Sequence, residues 1–453
     1  MPNALSQVER ATRGTPFEGR LWLVGGAVRD DLLGREHPPD LDLLVEGDAL
    51  AAARLLWDRK VAAHPPVVYP RFGTAMVSVA GVNLELATAR RESYDPASRK
   101  PSVRPATLEE DALRRDFTVN TLLHNLHTGE LRDPLGLGLN DLKAGVLRTP
   151  LDAAATFRDD PLRMLRAVRF AHHLAFRPAE GLYEAIRGER ERLRIISQER
   201  IRDELLKMLG GPDPVGAMRD LMDVGLLEEF APEFMPLVGL EQGRYHCEDG
   251  WDHTLTVLGL AAELSPTLEV RLAALLHDIG KPATRFVDEH GNTRFLTHEV
   301  VGAEMAEAML RRLRVPGDLA DPVVLLVRHH SRLGTAPTFT PTAARRLLRD
   351  LGEWVDPLLL LVDADQRAHR TATPRCDLDS VRRVLHEVRQ ATPRETLRSP
   401  LSGEDIIAAT GLAPGPEIGR LKGALDELVV EGSLEPGDRE GAVRWLRENA
   451  DNR

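Results

Sequence analysis

A chain of 453 residues is too long for one ordinary core, so about two to four domains are expected. Apolar residues make up 42% but aromatic residues only 4%, so the cores must be built from Leu, Val and Ala, and the wealth of Leu, Ala, Arg and Glu favours helices. No apolar run nears the ~20 residues of a membrane span, the N-terminal MPNALSQVERATRG has no apolar signal core, and Cys247 and Cys376 alone exclude a disulfide framework; a cytoplasmic protein without membrane partners is expected.

The net charge of −11 argues mildly against nucleic acid, but arginine is dense between Arg158 and Lys207, and any RNA-binding reading rests on that patch. In chain order, residues 21–24 (LWLV) predict a short buried strand, broken by Gly25-Gly26. AVRDDLLG then predicts a helix ended by Gly34. Residues 40–45 (DLDLLV) and 82–88 (VNLELAT) predict two further strands, the latter with period-two alternation. Residues 95–107 hold three prolines and no apolar period, which predicts a mobile loop. From about residue 151 the pattern is almost wholly helical, with breaks near 211–214 and 394–403.

Asp40 and Asp42 are one residue apart on a predicted strand, so their carboxylates point to one side. Like charges so placed are tolerable around a divalent cation. Glu85, on a neighbouring strand, supplies a third carboxylate. Such a trio can hold two Mg²⁺ ions for phosphoryl transfer. Upstream, the backbone at Gly25-Gly26 can approach a triphosphate closely, and Arg29 can add charge.

The run LVGGAVRDDLLGREHPPDLDLLVEG resembles the head-domain signature of the class II tRNA nucleotidyltransferase and bacterial poly(A) polymerase family. LELATARRESY, DALRRDFTVNTLLHN, RDDPLRMLRAVRF and SQERIRDELLKML follow in the family's order, so the resemblance spans roughly residues 20–240, with a weaker echo at 400–450. It implies that Asp111, Arg114, Arg115, Asp116 and Asn120 form a ribose- and phosphate-contacting segment, with the two arginines on triphosphate oxygens. It also implies that Asp160 and Arg163, three apart on a predicted helix, read the Watson–Crick edge of cytosine or adenine without a template. Asp159 stands where the family usually has Glu, and Thr121 where it usually has Ala. Arg163, Arg166 and Arg169 recur every three residues and predict a basic helix stripe for phosphates or incoming tRNA. Arg177, Arg187, Arg190, Arg192, Arg194, Arg200 and Arg202 extend it, diluted by Glu189 and Glu191.

A second constellation follows. His253, His277-Asp278, His298, His329-His330 and Asp365 occur in an order that resembles the HD superfamily of metal-dependent phosphohydrolases. Imidazoles bind a divalent transition metal, an aspartate bridges or completes the shell, and bound water becomes hydroxide. His253, His277, Asp278 and Asp365 form the core set; His298 and one of His329 or His330 complete a second metal site. Asp365 is favoured over Asp363 as the last ligand, and Lys281 is a phosphate-binding candidate.

The expected architecture is α+β. A small mixed-sheet nucleotidyltransferase head (1–145) precedes a helical neck and body (146–240), an all-helical HD domain (241–372) and a helical tail (373–453). The expected reaction is addition of C and/or A from CTP or ATP to the 3′ end of tRNA, with Mg²⁺ at the head. An HD-domain phosphatase or cyclic phosphodiesterase would repair damaged ends. Poly(A) polymerase, an HD phosphohydrolase with a nucleotide-binding head, and a non-catalytic tRNA-binding protein are the rival readings.

Overall fold

The computed structural model describes residues 3–36, 40–95, 98–242, 248–333, 338–369, 376–391 and 397–450. Cys247 lies outside them. The chain forms two compact units, Met1–Pro232 and Glu233–Arg453.

The first unit begins with a seven-stranded mixed sheet. Its strands are β1 (Leu21–Val24), β2 (Asp40–Val45), β3 (Val67–Tyr69), β4 (Thr74–Val79), β5 (Val82–Thr88), β8 (Leu123–Asn125) and β9 (Leu131–Arg132), in the order β3-β4-β5-β2-β1-β8-β9. The three strands expected from sequence have the expected bounds. Alternation decides their faces. Leu41, Leu43, Leu84, Leu86, Ala75, Val77 and Val79 turn to one face and are buried. Helices α1 (Asn3–Thr12) and α3 (Ala49–Asp58) cover that face with Leu5, Val8, Ala52, Ala53 and Leu56. Asp40, Asp42, Asn83 and Glu85 therefore share the opposite face. At its β1–β8 end this second face is roofed: Trp22, Val24, Leu44 and Leu123 cluster with Ala89 and with Leu108 of α4 (Leu108–Leu113).

Residues 95–107 are not the irregular loop the prolines suggested. β6 (Arg90–Asp95) and β7 (Ser98–Pro105) pair antiparallel, Arg90 opposite Pro105, with a register shift between Ser93 and Asp95. A two-stranded ribbon consists of edge strands only, where proline's missing N–H is tolerated.

The rest of the unit is helical: α2 (Gly26–Leu32), α5 (Gly138–Ala144), α6 (Ala153–Asp159), α7 (Leu162–Leu174), α8 (Leu182–Glu189), α9 (Gln198–Leu209), α10 (Pro214–Asp223) and α11 (Leu226–Phe230). A minor ribbon joins β10 (Val146–Leu147) to β11 (Arg177–Pro178). The second unit holds α12 (Gly250–Leu264), α13 (Leu268–Leu276), α14 (Lys281–Thr284), α15 (His298–Arg312), α16 (Gly317–His329), α17 (Pro341–Leu351), α18 (Val355–Ala368) and α19 (Leu378–Ala391), with the hairpin β12 (Arg285–Val287) and β13 (Thr293–Phe295). Its last three helices, α20 (Gly403–Thr410), α21 (Pro416–Glu431) and α22 (Arg439–Ala450), enclose a core of their own built on Ile406, Leu421, Leu425 and Leu446. No helix among the described residues is long and apolar enough to cross a membrane.

One charged joint ties α7 to α8 and α10. His172 Nδ1 lies 2.7 Å from Asp213 Oδ2 and its Nε2 lies 2.7 Å from Asp220 Oδ2, while the Tyr183 hydroxyl donates to Asp220 at 2.6 Å. Carboxylates only accept, so both contacts require the imidazolium. Burial lowers the His172 pKa, but the two carboxylates outweigh burial and raise it. A raised folded-state pKa means full stabilisation below the unfolded value of about 6.5, lost as pH rises through the raised value. Thermal unfolding is accordingly expected to show this unit weakening on the alkaline side of neutrality, and His172→Gln is expected to flatten that dependence.

Candidate active site and metal centre

In the head, parallel pairing of β2 with β5 sets Asp42 opposite Glu85 and Asp40 opposite Asn83. Directly opposed side chains lie about 5 Å apart. Burial raises the Asp42 carboxyl above its ordinary range, Glu85 adds to this, and Arg115 opposes it. β1 ends at Gly25, whose φ of 76° lies in the left-handed region that favours glycine. A Cβ there would stand 3.6 Å from Asp42 Oδ2 and 4.0 Å from Arg115 Nη1, so the bare backbone of Gly25 faces both groups.

Asp111 is fully buried and anchors the arginines of DALRRDFTVN. Its Oδ1 accepts from Arg114 Nη2 at 2.6 Å and its Oδ2 from Arg115 Nε at 3.0 Å. Burial pulls its pKa up, but Arg115 and Arg114 prevail and hold it below the usual range. Asp111 is therefore a buried anchor, and Arg114 and Arg115 are the groups it presents.

Beyond it runs a buried polar chain. Arg29 Nη1 donates to Asn120 Oδ1 (2.7 Å), and Asn120 Nδ2 donates to Asp116 Oδ1 (3.0 Å). Arg166 Nη2 donates to Asp116 Oδ2 (2.7 Å), and Arg169 Nε donates to Glu204 Oε2 (2.5 Å). Against burial, Arg166 and Asn120 hold Asp116 far below the ordinary carboxylate range. The Phe170 ring lies within this chain, 4.1 Å from the Arg169 guanidinium, 5.0 Å from Arg29 and 5.2 Å from Arg166. Arg29 is only 5% exposed and also bonds Asp30, so it braces α2 rather than offering an open charge.

Two expectations change. Asp160 and Arg163 do not share a helix. Asp160 caps the C-terminus of α6 with extended backbone, and Arg163 lies in the first turn of α7. Pro161 disfavours helical geometry at the residue before it. Asp160 accepts from Arg200 Nη2 at 3.0 Å, whereas buried Arg163 donates to the carbonyls of Arg114 (2.5 Å) and Thr156 (3.4 Å). Nor are Arg163, Arg166 and Arg169 left open as a basic stripe for phosphates or tRNA, because Asp116, Glu204 and backbone carbonyls engage them. The arginines that follow are also interleaved with acids: Arg187 pairs with Glu184, Arg194 with Glu229 and Arg202 with Asp203. Asp159, the last residue of α6, is exposed.

In the second unit, one carboxylate organises the histidines. Asp278 Oδ2 lies 3.0 Å from His277 Nε2 and 3.5 Å from His253 Nε2. Its Oδ1 lies 3.5 Å from His298 Nε2 and 3.8 Å from His330 Nε2. Asp365 Oδ1 joins the first pair, 3.1 Å from His253 and 3.8 Å from His277. Two ligand groups result, His253–His277–Asp365 and Asp278–His298–His330. The Nδ1 atoms of His277, His298 and His330 lie 2.7–2.8 Å from the carbonyls of Ala274, Phe295 and Val327. Those carbonyls require Nδ1–H, which leaves Nε2 as the lone-pair atom aimed inward. Burial pushes the His330 pKa down to about 3, helped by His277, so its imidazole is neutral. His330 is thus the second-site histidine. His329 is absent from both groups, its surroundings being Arg332, Arg328 and Asp350. Asp363 turns to Arg367 at 2.8 Å and leaves the ligand position to Asp365. Lys281 Nζ lies 2.6 Å from Asp278 Oδ2 and donates to Gln242 Oε1 at 2.5 Å.

Residues 21–148 match the family described as Poly A polymerase head domain, 175–237 the Probable RNA and SrmB- binding site of polymerase A, and 250–369 the HD domain. The CC-adding tRNA nucleotidyltransferase of Thermus thermophilus is 35% identical over 93% of this chain and 92% of its own length. The chain belongs to the tRNA nucleotidyltransferase family. The A-adding tRNA nucleotidyltransferase of Deinococcus radiodurans is 33% identical, over 96% of this chain and 97% of that one. The solved CCA-adding enzyme of Bacillus stearothermophilus, in complex with CTP, superposes with a TM-score of 0.69 at 26% identity, covering 100% of this chain and 98% of that one. Family membership and the HD domain imply divalent metal use. The residues fit it: crowded carboxylates on one sheet face, and imidazole nitrogens converging on a buried carboxylate.

Sequence reasoning missed Glu204, Phe170, Gln242 and His369. His369 was findable, being four residues after Asp365 on one helical path, with its Nδ1 2.7 Å from the Asp365 carbonyl. The close crossing of Gly280 on Gly302 sets His298 beside Asp278. A Cβ at Gly280 would stand 2.3 Å from the His298 carbonyl and 2.5 Å from Gly302 N. Gly280→Ala is expected to reduce metal bound per chain after dialysis, measured by elemental analysis. His330→Ala is expected to remove one ion and leave the His253–His277–Asp365 group loaded.

Proposed function

We propose that this chain adds C and/or A from CTP or ATP to the 3′ end of tRNA, with Asp40, Asp42 and Glu85 as its catalytic carboxylates. The register that sets Asp42 against Glu85 beside the open backbone of Gly25 carries this reading. The RNA 3′-hydroxyl attacks the α-phosphate of the nucleotide, and pyrophosphate leaves. Asp40 and Asp42 would hold Mg²⁺, which would supply charge stabilisation to the transfer, and Glu85 accepts the hydroxyl proton. Gly25 and Gly26 give the triphosphate backbone N–H groups, Arg115 and Arg114 pair with its oxygens, and Asp116 and Asn120 orient the ribose through the polar chain to Arg166. Asp160, with Arg200 beside it, and the α6–α7 break where Arg163 is anchored form the base-selecting wall. We read 1–145 as head, 146–240 as neck and body, 241–372 as HD domain and 373–453 as tail, in a cytoplasmic protein.

The Asp278 carboxylate, shared between two histidine groups, favours a second activity: hydrolysis of a phosphate or 2′,3′-cyclic phosphate from a damaged RNA end, leaving the hydroxyl the head requires. His253, His277, Asp278 and Asp365, with His298 and His330, would hold transition-metal ions, which would supply activation of the attacking water. Lys281 binds the phosphate.

Three tRNAs, lacking CCA, ending in C and ending in CC, incubated with CTP, ATP or both, test the first reading. Growth of all three to CCA, or of one step only, supports it; long adenylate tails assign a poly(A) polymerase, and no extension defeats it. Asp42→Ala is expected to lower extension at least about a hundredfold, since the lost charge stabilisation is several kcal/mol. His277→Asn is expected to leave extension intact and abolish release of phosphate from 3′-phosphorylated RNA; absence of that release from the wild-type chain with Mg²⁺, Mn²⁺, Ni²⁺ or Co²⁺ overturns the second reading.

A further inference from the structure

The row of residues across the head sheet continues past the catalytic carboxylates. Asp42 on β2 is opposite Glu85 on β5, Glu85 is opposite Met76 on β4, and Met76 is opposite Val67 on the edge strand β3. Direct opposition keeps side chains on one face, with neighbours about 5 Å apart. Tyr69, two residues from Val67, shares that face. Here the sheet is open: Val67 is 55% exposed, Tyr69 44% and Met76 40%. An apolar strip so exposed, next to a carboxylate trio, calls for a ligand.

Two approaches to the carboxylates are taken. The β1–β8 end is roofed by Trp22, Leu108 and Leu123. The Gly25 side faces Asp42 with Arg115, the cation suited to a triphosphate. The reacting hydroxyl must lie at Glu85 and Asp42, and its own ribose and base extend away from it. One open direction leads across β5 to β4 and β3. The turn between those strands carries exposed Arg71, which has no ion pair among the described residues and is suited to a backbone phosphate.

Resting on the nucleotidyl-transfer reading, we propose that Met76, Val67 and Tyr69 form the platform on which the 3′-terminal nucleotides of the acceptor RNA lie, with Tyr69 stacking on a base and Arg71 on the phosphate behind it. Aromatic stacking and apolar contact tolerate any base. Such a platform can receive an end whose terminal base changes at each addition, while base choice stays with the incoming nucleotide's wall.

The full-length chain tests this in two ways. For tRNA lacking its terminal nucleotides, Tyr69→Ala and the double variant Val67→Ser/Met76→Ser are expected to raise KM for RNA at least about fivefold, the lower end of one base stack, with KM for CTP and ATP unchanged. A photo-crosslinking residue at position 76 is expected to capture radiolabelled tRNA through its terminal nucleotides. An unchanged RNA KM, a rise in nucleotide KM instead, a crosslink to the stem interior, or a crosslink to a second copy of the chain overturns the platform. If the wild-type chain extends no RNA, the transfer reading fails by itself, and the crosslink still decides the platform.

Discussion

Two carboxylates placed opposite one another on neighbouring parallel strands repel, and much of the head serves that placement. Leu41, Leu43, Leu84 and Leu86, turned beneath α1 and α3, fix the register of β2 against β5. A slip of one residue would turn the acids into the core and the leucines into solvent. Hydrophobic burial therefore enforces an electrostatic arrangement that is unfavourable by itself, and the raised pKa of Asp42 is its signature. In the proposed reaction a bound cation would relieve it.

The arginines follow a different logic. Nearly every guanidinium near the head site is held by a buried acid: Asp111 for Arg114 and Arg115, Asp116 for Arg166, Glu204 for Arg169. A buried acid stripped of its partners would be costly, so each pair locks the position of both members. The chain from Arg29 through Asn120, Asp116 and Arg166 ties the turn after β1 to α7. The second unit repeats the scheme with histidine. Backbone carbonyls fix the tautomers, and Asp278, a member of one group, also lies 3.0 Å from His277 and 3.5 Å from His253 of the other.

What sequence revealed was short-range. Period-two alternation in DLDLLV and VNLELAT placed the carboxylates on one face, because a strand's side-chain period is fixed by its backbone. The H…HD…H…HH…D order pointed to the candidate ligands through its resemblance to the HD superfamily. Pairings across distance were not legible. Nothing in RDDPLRMLRAVRF announces that Arg166 reaches Asp116 fifty residues earlier, or that Glu204 waits for Arg169. The basic stripe was expected to be open to phosphates or tRNA because its acidic partners lie in other segments. The shared helix expected of Asp160 and Arg163 failed more locally: Pro161 between them signals a break, and the three-residue spacing was given more weight than the proline. The 90–105 ribbon was hidden because prolines count against strands in general and not against edges.

Metal-bound carboxylates acting at the α-phosphate are the centre of the proposed reaction. Its most direct test is single-turnover extension with nucleoside α-phosphorothioates, comparing Mg²⁺ with the softer Mn²⁺ and Cd²⁺. One diastereomer is predicted to react slowly with Mg²⁺ and to be rescued by the softer ions, which accept sulfur in place of oxygen. An equal thio effect with every ion, for both diastereomers, would contradict direct metal contact at the α-phosphate and the role given to Asp40, Asp42 and Glu85.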